Sequence, residues 1–228
     1  MTSLEALIYC IVAVLITFFI CAIPSGYLIS KQGSHIDVRK EGSGNIGTTN
    51  VARSVGKGAA ALTLLCDAGK GFICVGLGKL IASQIFFGGA LWPFVPSGPL
   101  SWITGMLLLS AVLGHIFTPY LGFHGGKGIA VGFGAMLAAA PLGALGLLLV
   151  FVVVVIPTRF VSAASVCAAI SLPIWSVVLY HATFGFLIPA LIACLVVIWA
   201  HRTNINKLLH GEERRFAFHH DDSESKTK

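Results

Sequence analysis

The chain has 228 residues, 56% of them hydrophobic and only 11% charged, with a mean hydropathy of +0.89. Such a composition excludes a soluble globular domain and reads as one polytopic membrane domain. Fifteen Lys and Arg against nine Asp and Glu leave a formal net charge of +6, which follows from membrane orientation rather than nucleic-acid binding.

No Asp, Glu, Lys or Arg occurs from Ala6 to Ser30 or from Val161 to Ala200. The first run is near the N-terminus but lacks a basic leading region, carries Glu5, and ends at "CAIPSGYLISK" without a small-residue cleavage site. It reads as a retained helix rather than a signal peptide. A span needs about 20 residues to cross roughly 30 Å of hydrocarbon. Applied along the chain, this predicts spans near 4–26, 58–87, 101–121, 128–140, 142–157, 161–180 and 183–200. The fourth and fifth are short. At about 1.5 Å per residue the fourth reaches only some 20 Å, so the pair can instead be one tilted span or a re-entrant hairpin turning at Pro141. The expected fold is all-α: a polytopic helical bundle of seven transmembrane helices, or five, in a single domain over residues 1–215.

The loop from Lys31 to Lys57 carries Lys31, Arg39, Lys40, Arg53 and Lys57 against Asp37 and Glu41, and the segment after His201 is also basic. The positive-inside tendency makes both cytosolic. An odd span count then puts the N-terminus outside and the C-terminus in the cytosol, and with seven spans Lys127 and Arg159 also become cytosolic. The six cysteines lie in apolar surroundings without ligand spacing and read as small buried hydrophobes. No metal site and no cofactor are expected.

Four polar motifs interrupt the apolar pattern. In "GSGNIGTTNVARSVGKG", Gly42, Gly44 and Gly47 free the backbone to present N–H groups, while Ser43, Asn45, Thr49 and Asn50 add neutral donors and Arg53 a bidentate cation. Such a loop entering a helix N-terminus favours an anion. Alone, it is as readily a flexible inter-helix turn. In "LTLLCDAGKGFICV", Asp67 and Lys70 form an intramembrane charged pair, a costly feature that reads equally as a functional group or as a purely structural pair. Gly69 and Gly71 can also break that helix and turn Lys70 toward the cytosolic side. In "LGHIFTPYLGFHGGKGIAVGFG", His124, Gly125, Gly126, Lys127 and Gly128 make a second Gly/Lys loop that lacks Walker A spacing but has the parts of a phosphate cradle. Finally, "WAHRTNINKLLHGEERRF" places His201, Arg202, Asn204, Lys207, Glu212, Arg214 and Arg215 at the end of the last span, with His201 and Asn204 on one face. Two cradles on one membrane face suggest two anionic groups bound together.

In order and separation, "GSGNIGTTNVAR", "DAGKG", "GHIFTPYLGFHGGKGIAVGFG" and "HRTNINKLLHGEE" resemble the bacterial membrane acyl-phosphate:glycerol-3-phosphate acyltransferase family, from about Ile23 to Glu212. The family's usual proline and alanine in the first motif stand here as Ile46 and Thr48, which implies a looser loop with one more N–H donor. The segment after Phe216, "AFHHDDSESKTK", has no family counterpart. Its His219, His220, Asp221 and Asp222 offer metal-ligand types, but the composition reads as a disordered tail over 216–228.

The resemblance implies transfer of an acyl group from acyl phosphate to the 1-hydroxyl of sn-glycerol 3-phosphate, releasing inorganic phosphate and lysophosphatidic acid. It implies Ser43, Gly44, Asn45, Thr49, Asn50 and Arg53 around the acyl phosphate, and Gly125, Gly126, Lys127, Gly128 and His115 around glycerol 3-phosphate. Ser43, Arg53, Lys70, His201 and Asn204 are then the catalytic set, with Asp67 and Glu212 as structural support. Membrane lipids and an enzyme that forms acyl phosphate are the implied partners, the chain acting as a monomer in the bacterial inner membrane with its site facing the cytosol. The His-x4-Asp pair of the other great acyltransferase class is absent, since Tyr120, Ile129 and Asn206 stand at the Asp position after His115, His124 and His201. This favours direct attack, with a donor phosphate oxygen or His201 taking the proton. The competing class is a transporter for an anionic phosphorylated metabolite, built on broken helices and mid-membrane charges. Against it, the polar motifs gather on the cytosolic side, the outward loop "FFGGALWPFVPSGPLSW" is uncharged, and no inverted repeat stands out. A structural subunit leaves the two cradles unexplained.

Overall fold

In the computed structural model, residues 3–89, 96–98 and 100–216 are described. The apolar runs become helices because lipid offers no partner for backbone N–H and C=O groups, which must pair within the segment. Among the described residues there are ten α-helices and no strand. They are α1 (Ser3–Ala22), α2 (Ser25–Ser34), α3 (Thr48–Ser54), α4 (Lys57–Phe87), α5 (Ser101–Ile116), α6 (Ile129–Ala139), α7 (Pro141–Thr158), α8 (Val161–Tyr180), α9 (Phe184–Ala200) and α10 (Arg202–Leu209). Single 3-10 turns lie at Val38–Lys40 and Pro119–Leu121.

Among the described residues, five stretches are long and apolar enough to cross a membrane: Leu4–Ser34, Lys57–Phe87, Ser101–Leu121, Pro141–Thr158 and Val161–Tyr180. A sixth arises if α9 and α10, bent by 57° at His201, are taken together. The remaining predicted span is α6, whose 11 residues reach only about 16 Å. Pro24 separates α1 from α2. The open possibility of a break at Gly69 and Gly71 is not realised, because α4 runs through both glycines. The outward loop falls partly, and His219, His220, Asp221 and Asp222 fall wholly, outside the described residues. The last described residue, Phe216, donates its N–H to the Arg159 carbonyl at 2.7 Å and so ties the end of this region to the α7–α8 turn.

The interior is built from small residues and the exterior from large apolar ones. Leu65, Val153, Ile156, Val178 and Leu195 are exposed on the outer surface, while Ala111, Ala135, Ala138, Ala139, Ala144 and Ala190 are buried at the core. Helices can therefore approach to backbone contact, the usual device where no water drives association. A Cβ on Gly114 would come within 2.3 Å of Phe18 O, on Gly71 within 2.2 Å of Val131 O, and on Gly134 within 1.8 Å of Ala68 O. These glycines join α5 to α1 and α6 to α4. Helix α5 sits at the centre, packed on α1, α4, α6 and α9. Side-chain hydrogen bonds secure it to α1: Ser110 Oγ donates to Val14 O at 2.6 Å, and Thr118 Oγ1 to Ala22 O at 2.6 Å beside the Pro24 break.

The topology brings the C-terminal ends of α1, α5 and α9 to the end of the bundle that holds α3, the start of α4 and the start of α6. Every polar motif named above lies at this end.

Candidate active site

The first loop is held together by one side chain. Asn50, only 2% exposed, accepts the Ser43 N–H on Oδ1 at 2.9 Å. Its Nδ2 donates to the carbonyls of Val38 (3.0 Å), Glu41 (3.0 Å) and Asn45 (2.9 Å). A Cβ on Gly42 (φ +57°) would fall 2.3 Å from Asn50 Oδ1. The Gly44 N–H goes to Glu41 O at 2.9 Å, and the Gly47 N–H to Asn45 Oδ1 at 2.8 Å. Expected among the ligands, Asn50 instead has its amide committed to the loop's own backbone. Three of the N–H groups expected to form a cradle are likewise paired, so side chains such as Ser43 and Arg53, both exposed, are what this loop offers a ligand.

Ile46 does not loosen the loop. It is 2% exposed and packs with Val38, Val51 and Ala60 in a small core of its own, an anchor worth about 2 kcal/mol of transfer free energy. Its carbonyl rests on Gly26 of α2, where a Cβ would lie 2.0 Å away. Upstream, Asp37 accepts both Nε and Nη2 of Arg39, at 2.9 and 2.7 Å, which holds its carboxyl at about 2. The Arg39 guanidinium lies 4.5 Å from the Tyr27 ring centre, bracing the loop against α2.

Lys70, on α4, donates to Asp67 Oδ1 at 2.8 Å and to Ile23 O at 2.7 Å, just before the Pro24 break. Asp67 is buried, and His115 Nδ1 lies 3.7 Å from its Oδ1. The His115 ring is enclosed, with Nε2 so near Gly126 that a Cβ there would meet it at 2.0 Å. Expected beside the phosphate, His115 instead backs the second loop.

That second loop is fixed by backbone pairing. Gly125 donates to Ile116 O at 3.0 Å and Gly126 to His115 O at 3.1 Å, closing the end of α5. These two amides are therefore engaged, and the presenting groups are the Lys127 side chain and the start of α6 beyond Gly128, which takes φ +83°. Lys127 Nζ donates to Asn204 Oδ1. Burial holds its ammonium below the usual lysine range. Arg53 and Lys207 act on it in the same direction, and Glu213 opposes them. The second loop and α10 are thus joined directly through the Lys127–Asn204 hydrogen bond.

The third motif orients that junction. His201 is 2% exposed, and its Nδ1 lies 2.8 Å from Val197 O, which sets the N–H on Nδ1 and the lone pair on Nε2. Asn204 Nδ2 donates to Glu213 Oε1 at 2.8 Å, and Glu213 Oε1 also accepts from Ser162 Oγ at 2.8 Å. The supporting carboxylate is thus Glu213, not Glu212, which is exposed and contributes its backbone N–H to Lys207 O at 2.8 Å. The chain leaves the helix at Gly211 (φ +73°), so helical phase no longer determines which glutamate turns inward. Sequence reasoning also missed Lys79, 0% exposed inside α4. A lone lysine in an apolar run was the available signal. No group of three or more His, Cys, Asp or Glu suited to a metal occurs among the described residues.

A helical integral membrane protein with a cationic, largely neutral-lined site at one end of its bundle is the class these features define. The family model for glycerol-3-phosphate acyltransferase matches residues 11–211. The glycerol-3-phosphate acyltransferase of Thermosynechococcus vestitus is 40% identical over 201 residues, 88% of this chain and 92% of that one. That of Clostridium acetobutylicum is 38% identical over 208 residues, covering 91% and 100%. The crystal structure of PlsY, an integral membrane glycerol 3-phosphate acyltransferase, in its glycerol 3-phosphate form matches with TM-score 0.79 at 34% identity, over 91% of this chain and 96% of that one. Its lysophosphatidic acid form matches with TM-score 0.77. This chain belongs to the glycerol-3-phosphate acyltransferase family.

Proposed function

We propose that the protein transfers the acyl group of an acyl phosphate to the 1-hydroxyl of sn-glycerol 3-phosphate, giving lysophosphatidic acid and inorganic phosphate, the first step of phospholipid synthesis. The observation that carries this reading is the hydrogen-bonded chain from Lys127 of the second loop through Asn204 of α10 to Glu213, with Arg53 exposed on the first loop at the same end of the bundle. Each substrate brings a phosphate, and a site with cations from separate loops matches two anions held side by side. The PlsY structures, described as glycerol 3-phosphate and lysophosphatidic acid forms, support the acceptor and the product.

In this reading Ser43, Gly44, Asn45, Thr49 and Arg53 line the donor side, and Asn50 holds their loop in shape. Lys127 and Gly128 bind the acceptor phosphate, while Gly125, Gly126 and His115 fix that loop. Lys70, anchored by Asp67, polarises the scissile acyl group, and donors there stabilise the developing oxyanion by a few kcal/mol, about 3. The acceptor oxygen attacks the acyl carbon, the carbon–oxygen bond to phosphate breaks, and the hydroxyl proton passes to a phosphate oxygen of the leaving group. His201 Nε2 is the alternative proton acceptor, with Asn204 orienting Lys127. The acyl chain stays in the lipid, where each methylene contributes about 0.8 kcal/mol. We assign seven membrane-embedded helical segments, α6 the short one, with the N-terminus outside, the C-terminus and site in the cytosol, and residence in the bacterial inner membrane as a monomer. An enzyme that forms acyl phosphate supplies the donor.

Phosphate release by purified protein given palmitoyl phosphate and glycerol 3-phosphate tests this reading. Wild type is expected to form phosphate and lysophosphatidate one for one in detergent, where vectorial transport has no meaning. Arg53→Ala is expected to lose nearly all of that activity. Wild type that forms neither product in detergent or vesicles would overturn the assignment.

A further inference from the structure

Helix α6 ends at Ala139 and α7 begins at Pro141, which leaves carbonyls without helical partners inside the bundle. Pro141 has no N–H for the carbonyl of Leu137. The N–H of Leu142, which would serve Ala138 in a continuous helix, donates instead to the Tyr180 hydroxyl at 2.8 Å. Where water is absent, such end carbonyls need another donor. Lys79 supplies it: its Nζ donates to Ala138 O at 3.1 Å and Ala139 O at 3.0 Å, and the residue is 0% exposed.

The other end of α6 carries Gly128 and Lys127, so the helix is a stiff rod of about 16 Å between the Lys79 contact and the acceptor loop. Along its length α6 touches α4 backbone to backbone at Gly71 and Gly134. Helix α4 carries Lys70 on the donor side and Lys79 on the α6 side, nine residues and about half a turn out of phase. Helix α4 therefore bears on the donor side directly through Lys70 and on the far end of α6 through Lys79.

We propose that Lys79 is a positioning residue for acyl transfer: by capping α6 it sets the height of Lys127 and Gly128 against Arg53 and Lys70. This rests on the functional reading above, in which Lys127 binds the acceptor phosphate. Lys79 Nζ bonds Ala138 and Ala139 at the end of α6, so its loss is expected to act through the acceptor loop.

The test is steady-state kinetics of full-length Lys79→Met, Lys79→Gln and Tyr180→Phe, with thermal unfolding of each in detergent. Lys79→Met is expected to raise KM for glycerol 3-phosphate about 10-fold and to leave KM for palmitoyl phosphate within about 2-fold, since small misplacements of a binding group are costly. Lys79→Gln, which keeps N–H donors on a shorter arm, is expected to recover part of this loss. If Lys79→Met is not recovered folded, the same split between the two KM values is read on Lys79→Gln. Tyr180→Phe breaks the α7 side of the same junction and is expected to lower the unfolding temperature with both KM values unchanged. Equal changes in the two KM values, or an unchanged acceptor KM in a folded Lys79 variant, would overturn the proposal. Wild type that forms no lysophosphatidate overturns the functional reading instead.

Discussion

The two glycine-rich loops look alike in sequence and are built in opposite ways. The first closes around a buried side chain, Asn50, which bonds one backbone N–H and three carbonyls of its own segment. The second has no such plug; Gly125 and Gly126 lie directly on the end of α5 and pair with its last carbonyls. One glycine-rich loop is thus shaped from within and the other by its neighbour. Glycine serves a positive φ or an asparagine contact in the first, and in the second close approach to His115 at Gly125 and Gly126 and a positive φ at Gly128.

The largest expected effect falls on the cation that each loop presents. Arg53→Ala and Lys127→Ala should each lower kcat/KM for acyl transfer by about 100-fold or more, with Lys127→Ala acting chiefly through the KM of glycerol 3-phosphate. Steady-state rates with each substrate varied in turn check this. Equal effects of both variants on both KM values would erase the distinction between a donor loop and an acceptor loop.

The next effect separates the two ways of shaping a loop. Asn50→Ala strips buried carbonyls of their donor and should destabilise the protein by about 3 kcal/mol, read as a lower unfolding temperature with activity reduced in parallel. Gly126→Ala forces a Cβ to 2.0 Å from His115 Nε2 and should reduce activity about 10-fold or more. Gly69→Ala, where no atom lies within 4 Å of the added carbon, should leave both unchanged.

A smaller effect distinguishes the neighbouring glutamates. Glu213→Gln weakens the acceptor for Asn204 and Ser162 and should slow turnover about 5-fold; Glu212→Gln should change it by less than about 2-fold. Rates at saturating substrate settle which glutamate supports α10.

The smallest expected effect is on pH dependence. Burial holds Lys127 below an ordinary lysine, so its proton leaves at lower pH than from an exposed one. Because only the cation attracts phosphate, KM for glycerol 3-phosphate should rise as pH increases through this lowered value. Lys127→Arg stays cationic over the same range and should flatten the alkaline limb. A limb that persists in Lys127→Arg belongs to another group.

Composition and uncharged runs by themselves pointed to a helical membrane protein, because an apolar, charge-free stretch of about 20 residues has the length and character of a membrane span. They also delimited most helices to within a few residues: the predicted 161–180 coincides with α8, and 58–87 nearly with α4. The four motifs and their order carried the family. Tertiary structure alone decided what each motif residue does. A sequence marks Asn50 as a polar side chain in a loop, but only the fold of Val38 to Asn45 around it turns its amide inward. Glu212 and Glu213 are adjacent and chemically identical, and the turn at Gly211 chooses between them. Lys79 is the clearest case: it acts on Ala138 and Ala139, some 60 residues away in the chain, and partners so distant are set by helix packing rather than by any local pattern.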